Sequence, residues 1–139
     1  MSKYLLERQD NITVEYTLDD KPFVQETLDD SLSAFRFVAK YFGMELFPAR
    51  IILVPDRREF DRCVKEVLNV DIEVPSHPRR IGQPQKTDLI VLSPRAWERG
   101  INEYTPDSYK KFLFHEIVHI VEEHLSPEIA VSYTHLRAH

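Results

Sequence analysis

The sequence predicts an α+β fold in which a small mixed sheet packs against helices. Three observations carry that expectation. Asn11–Thr17 alternates apolar and polar residues, and Arg50–Pro55 is a short continuous apolar run; both are strand patterns. The stretches after Pro22 and after Thr105 repeat apolar residues at helical spacing. Strand and helix signals also alternate along a chain of 139 residues, which is enough for one domain with a modest core.

In the first strand, Ile12, Val14 and Tyr16 share one face, and Thr13, Glu15 and Thr17 share the other. Asp19-Asp20-Lys21-Pro22 carries helix-start chemistry. The helix that follows is drawn by Leu28, Leu32, Phe35, Ala39 and Phe42, with Val38 widening the stripe and Gly43 as its C-cap. Ile51-Ile52-Leu53-Val54, bounded by Pro48 and Pro55, reads as a central strand buried on both faces. Asp56-x-x-Glu59 then opens a helix whose inner face is Phe60, Cys63, Val64, Val67 and Leu68.

Residues 71–86 read as irregular, because Pro75, Pro78 and Pro84 break any period and Gly82 permits a turn. Arg79, Arg80 and Lys86 form a basic cluster there with His77 nearby, either a solvated loop or hairpin or the rim of a cleft. Thr87–Leu92 is the last clear strand. Ser93 and Pro94 begin a short helix carrying Trp97, which Gly100 ends.

Composition bounds function from the other side. Hydrophobic content of 42% and charged content of 29% are ordinary for a globular protein. A net charge of −5 argues against nucleic-acid binding. Cys63 is alone, so no intrachain disulfide framework exists, and its place on an apolar helix face makes it a core residue. No signal-peptide core or membrane-spanning run is visible, and the expected location is cytoplasmic.

The chemistry concentrates in Lys111–Val121, whose centre, His115-Glu116-Ile117-Val118-His119, spells H-E-x-x-H. Two histidines four residues apart stand one helical turn apart, so both imidazoles can reach one Zn²⁺. Glu116 then sits beside the metal's open position, placed to take a proton from zinc-bound water. Thr105 suits the N-cap of this helix, Pro106 its first position and Asp107 its positive end. Leu113, Ile117, Ile120 and Val121, widened by Phe114 and Val118, form the apolar stripe, with the histidines turned away from it. A cleft-lining helix requires this arrangement, and an ordinary solvated helix also has it.

A catalytic zinc usually has three protein ligands and a water. Glu122 and Glu123 are excluded as the third. At ~1.5 Å rise per residue, Glu123 lies ~12 Å along the axis from His115, and zinc bonds span only ~2 Å. The two glutamates read instead as a solvated carboxylate pair, and the third ligand must come from another segment.

On the H-E-x-x-H helix, the strand before it and the sheet-and-helix segments ahead of both, residues 12–130 resemble the gluzincin metallopeptidases, and within them the compact peptidase MA-like proteins. Only the motif helix is specific. The metzincin extension is absent, since Glu122 stands where that pattern has glycine. The W-x-x-E-G-type segment that carries the third ligand, a glutamate, in gluzincins is also missing.

The resemblance implies the N-terminal lobe of a gluzincin-like domain, with residues 1–130 a partial metallopeptidase-like domain cut before its third ligand. Residues 131–139 resemble a translated sequencing adapter and are expected to be a non-native tail. It further implies a zinc cofactor on His115 and His119, Glu116 as catalytic base, and a peptide or protein substrate. In gluzincins the sheet's edge strand binds extended peptide by strand addition. Leu89, Ile90, Val91 and Leu92 are the candidates here, although so apolar a run suits an internal strand equally.

The function expected is zinc-dependent peptide-bond hydrolysis, incomplete in this chain. The alternatives are a non-catalytic module of the same ancestry that binds peptide or a partner, and an unrelated α+β interaction domain whose polar helix face happens to spell the motif.

Overall fold

A computed structural model describes residues 3–125. Five strands form one mixed sheet: β1 (Leu5–Gln9), β2 (Ile12–Tyr16), β3 (Ala49–Val54), β4 (Gly82–Gln85) and β5 (Asp88–Leu92). Three helices pack on it: α1 (Val24–Phe42), α2 (Arg57–Glu66) and α3 (Pro106–His124). The strand order is β1-β2-β3-β5-β4. The inner pairs β2–β3 and β3–β5 are parallel, and the outer pairs β1–β2 and β5–β4 are antiparallel hairpins.

Each parallel pair demands a crossover, and the helices supply them: α1 links β2 to β3, while α2 and the loop after it lie between β3 and the β4–β5 hairpin. The central strands are therefore covered on both faces. Ile12, Val14, Ile51, Leu53, Leu89 and Val91 pack with α1 and α3 in one cluster. Ile52, Val54, Ile90 and Leu92 pack with Phe60, Cys63 and Val64 of α2 in the other. The uninterrupted apolar runs of β3 and β5 follow from this two-sided burial.

Most helix signals hold, but Val67, expected on the inner face of α2, is its exposed C-cap, and Phe114, expected to widen the α3 stripe, is exposed. Gly43 takes the left-handed conformation (φ 66°) that closes α1, and the Asp56 side chain accepts from the Glu59 N–H at 2.8 Å to open α2. The stripe from Leu28 to Ala39 is buried, with Phe42 only half-buried at the helix end. Phe35 and Ile117 are fully enclosed, and Cys63 is a core residue. Two starts differ from expectation. Leu18–Phe23 forms a 3-10 turn before α1 begins, and the element after Ser93 is a 3-10 turn of Pro94–Ala96 that ends at Trp97.

One strand, β1, was not anticipated, and β4 realises the hairpin alternative for residues 71–86. β1 lies on one edge of the sheet and is largely exposed, so it lacks an apolar alternation. β4 forms inside the stretch expected to be irregular; as an edge strand it tolerates Pro84, whose missing N–H would break an inner ladder. Ser126–Ala130 and the expected tail, residues 131–139, lie outside the described residues. Among the described residues no helix is long and apolar enough to cross a membrane.

Candidate functional site

α3 begins on a reciprocal cap: the Ser108 N–H donates to Thr105 Oγ1 at 2.9 Å and the Thr105 N–H donates to Ser108 Oγ at 2.8 Å. Its apolar stripe of Leu113, Ile117, Ile120 and Val121 is sealed against α1 and the sheet. That anchoring sets the rotation of the helix and turns His115 outward, with His119 at the border of solvent. The two rings stand nearly perpendicular, centroids 4.6 Å apart, and their Nε2 atoms approach to 3.0 Å. Two nitrogens bound to one tetrahedral zinc with bonds of ~2.0–2.1 Å are ~3.3 Å apart, so the donor pair fits such an ion with little adjustment.

Glu116 points another way. It is only 8% exposed, its Oε2 has no hydrogen-bond partner among the described residues, and burial pushes its carboxyl up to about 7. β4 forms its cover. A Cβ on Gly82 would stand 2.6 Å from Phe112 Cζ and 3.3 Å from Glu116 Cδ, so only glycine lets the edge strand come this close to α3. Phe112 is in turn held edge-on by Trp97, ring centroids 5.7 Å apart.

The edge-strand expectation needs correction. β5, holding Leu89, Ile90, Val91 and Leu92, is hydrogen-bonded to β3 on one side and β4 on the other. Its backbone groups are spoken for, so it has no free edge. The short apolar run was the internal alternative after all, and the edge beside α3 belongs to β4. The Leu92 N–H donates to Ile81 O at 2.8 Å, which sets the alternation of the antiparallel ladder. Ile81, Gln83 and Gln85 therefore bond to β5, while Gly82 and Pro84 direct their backbone groups outward.

The glutamate pair also needs correction. Glu123 is exposed, but Glu122 is buried, and its Oε1 lies 3.8 Å from Nδ1 of His119. A charged side chain three residues past a candidate ligand was the available signal, since helix neighbours at that spacing share a face. His77 stays apart from this site: its Nδ1 accepts the Arg79 N–H at 3.0 Å and shapes the exposed loop. In the basic cluster, Arg80 donates locally to Gln83 at 2.6 Å.

Among the described residues, no group of three or more His, Cys, Asp or Glu side chains converges on one metal position. His115 and His119 thus supply two donors, with a buried carboxyl between them in sequence. No protein-family model matches the chain, and no curated protein matches its sequence.

Proposed function

We propose that this chain carries part of a zinc-dependent peptidase site, of the gluzincin type its sequence resembles. His115 and His119 hold Zn²⁺, and Glu116 is the general base. One observation carries the reading: two imidazole Nε2 atoms converge to 3.0 Å on the helix that, between them in sequence, carries a buried carboxyl whose Oε2 has no hydrogen-bond partner among the described residues. A buried carboxyl without a full set of partners costs stability, and such costs are tolerated at sites of function.

Bound zinc supplies Lewis acidity, polarising water and the scissile carbonyl. Glu116 takes the proton from the attacking water and passes it to the departing amine, so the carboxylate is restored at the end of the cycle. Its raised proton affinity suits both halves of that task near neutral pH. Glu116 would be favoured in its ionised, basic form if His115 and His119 held a cation.

The substrate backbone is held by the outer edge of β4. Gly82 offers an N–H and a carbonyl there and Pro84 a carbonyl, enough to hydrogen-bond an extended peptide. Gly82 also abuts Glu116, so a peptide on this edge passes the base. The third zinc ligand in this reading is a carboxylate or imidazole from outside residues 3–125.

A non-catalytic peptide-binding module is the second reading, favoured by the lack of a third converging ligand among the described residues. Cleavage of a peptide library at saturating Zn²⁺, by wild type and by Glu116→Gln, separates the two. From a chain carrying all its zinc ligands, the peptidase reading expects cleavage of a subset of peptides that chelator abolishes and that Glu116→Gln lowers by about 10²–10⁴-fold. Chelator-insensitive binding of peptides, with no cleavage by a chain carrying all its zinc ligands, contradicts it.

A further inference from the structure

We propose that the groove between α2 and the loop after it binds a small organic anion that carries an apolar body. α2 packs on the sheet face opposite α1 and α3, so the groove lies away from the histidine pair and stands independently of the zinc reading. Its cavity is about 550 Å³, within the ~300–1,000 Å³ of small-molecule sites.

The lining is the first observation. Val74 and Pro75 form one wall, and Val74 is 57% exposed. The facing wall is α2, whose arginine and lysine stems present methylene groups beneath their charged ends. Hydrogen bonds fix the two walls together. Asp61 accepts the Ser76 N–H and hydroxyl, and Arg57 donates to Ser76 Oγ and to the carbonyls of Pro78 and Arg80. The bonds that seat the loop on the helix also shape the cavity.

Charge is the second observation. Four cations and two carboxylates line the groove, but most are already engaged. Arg57 and Asp61 hold the loop. Glu66 accepts from Arg62 at 2.8 Å, and Arg62 also donates to Glu59 at 2.6 Å. Arg58 and Lys65 are left over: among the described residues, neither makes a hydrogen bond or an ion pair. They stand seven residues apart, two turns along one face of α2. The groove therefore holds two uncommitted positive charges beside an apolar wall, in a chain whose net charge is −5.

A solvated basic helix face has the charges without the concave apolar wall. A groove for a neutral apolar group has no use for the cations. A carboxylate, sulfonate or phosphate on a hydrocarbon or aryl body answers both features, through charge-assisted hydrogen bonds at one end and apolar contact at the other. The concave volume favours a small molecule over a peptide laid across the surface.

Octanoate is the probe, with octylamine and hexaglutamate as comparisons, each titrated into the full chain and followed by ¹H–¹⁵N correlation NMR. Octanoate is expected to shift the amides of α2 and of residues 74–76. It should bind ~10-fold tighter than octylamine, an advantage that shrinks as salt is raised. Arg58→Gln combined with Lys65→Gln should weaken octanoate by about 10-fold. Both side chains are exposed, so the fold should survive, as the spectrum itself would show. Val74→Ser should weaken octanoate by about 5-fold and leave its salt dependence as in wild type. Octylamine binding as tightly as octanoate overturns the proposal, and so does octanoate that ignores the double substitution or shifts amides elsewhere. Hexaglutamate binding the groove more tightly than octanoate overturns it in favour of an acidic peptide. No shift at millimolar octanoate overturns it outright, and none of these results bears on the zinc site.

Discussion

Two buried carboxylates, Asp61 on α2 and Glu116 on α3, show how differently one chain treats the same functional group. Asp61 is fully answered. It accepts the Ser76 N–H at 3.0 Å on one oxygen and the Ser76 hydroxyl on the other, pinning the long loop to α2. Arg57 strengthens the clasp by donating to Ser76 Oγ at 3.0 Å and to the Pro78 carbonyl at 3.1 Å. Glu116 is buried nearly as deeply, yet its Oε2 has no hydrogen-bond partner among the described residues, and burial pushes its carboxyl up to about 7. The first arrangement is what a fold does with a carboxylate it needs for stability. The second leaves a group poised to exchange a proton, which structures tolerate at sites of function.

The largest effect on stability is expected at the answered carboxylate. Asp61→Ala leaves the Ser76 N–H and hydroxyl buried without their acceptor, at about 2–4 kcal/mol by urea unfolding. A loss under about 0.5 kcal/mol, the range of an ordinary surface change, would erase the contrast between the two carboxylates.

Next is the cover over Glu116. Gly82→Ala drives a methyl group to 2.6 Å from Phe112 Cζ, and the ring is hemmed in by Trp97 and Tyr109. The expected cost is about 1–2 kcal/mol, relieved when Phe112→Leu is added, as a double-mutant cycle would register. Strict additivity of the two changes would mean that β4 does not rest on α3 there.

Glu116 itself should show the opposite sign from Asp61. Its folded-state value of about 7 lies above the ordinary 4.5, so its contribution to stability is intact below pH 4.5 and is lost as pH rises through about 7. Glu116→Gln cannot ionise and escapes that loss. Metal-free Glu116→Gln should exceed wild type by about 1–3 kcal/mol at pH 8 and match it near pH 4, by unfolding at the two pH values. Wild type more stable than Glu116→Gln at pH 8 would place the carboxylate in a satisfied environment after all.

Legibility followed packing. Elements buried by periodic apolar faces were readable: the stripes of α1 and α3, the run Ile51–Val54 and the caps at Gly43, Asp56 and Thr105. The edge strands were not. Gly82-Gln83-Pro84-Gln85 has neither alternation nor strand-forming residues, and its pairing comes from β5 and from the close approach that Gly82 allows. At the site, spacing alone brought His115, Glu116 and His119 together on one helix. Glu122 was misjudged because charge was read as exposure. The helical period sets it away from the centre of the apolar stripe, so nothing in the pattern signals its burial.

The most direct test of the account is zinc content. In a chain carrying all its zinc ligands, wild type, His115→Ala, His119→Ala and Glu116→Gln would each be dialysed against low micromolar Zn²⁺ and measured by inductively coupled plasma mass spectrometry. The account predicts about one zinc per chain in wild type and in Glu116→Gln, and none above background in either histidine variant, because each removes a bond to the metal. Equal zinc in all four proteins would contradict the ligand assignment, and so would its absence from wild type.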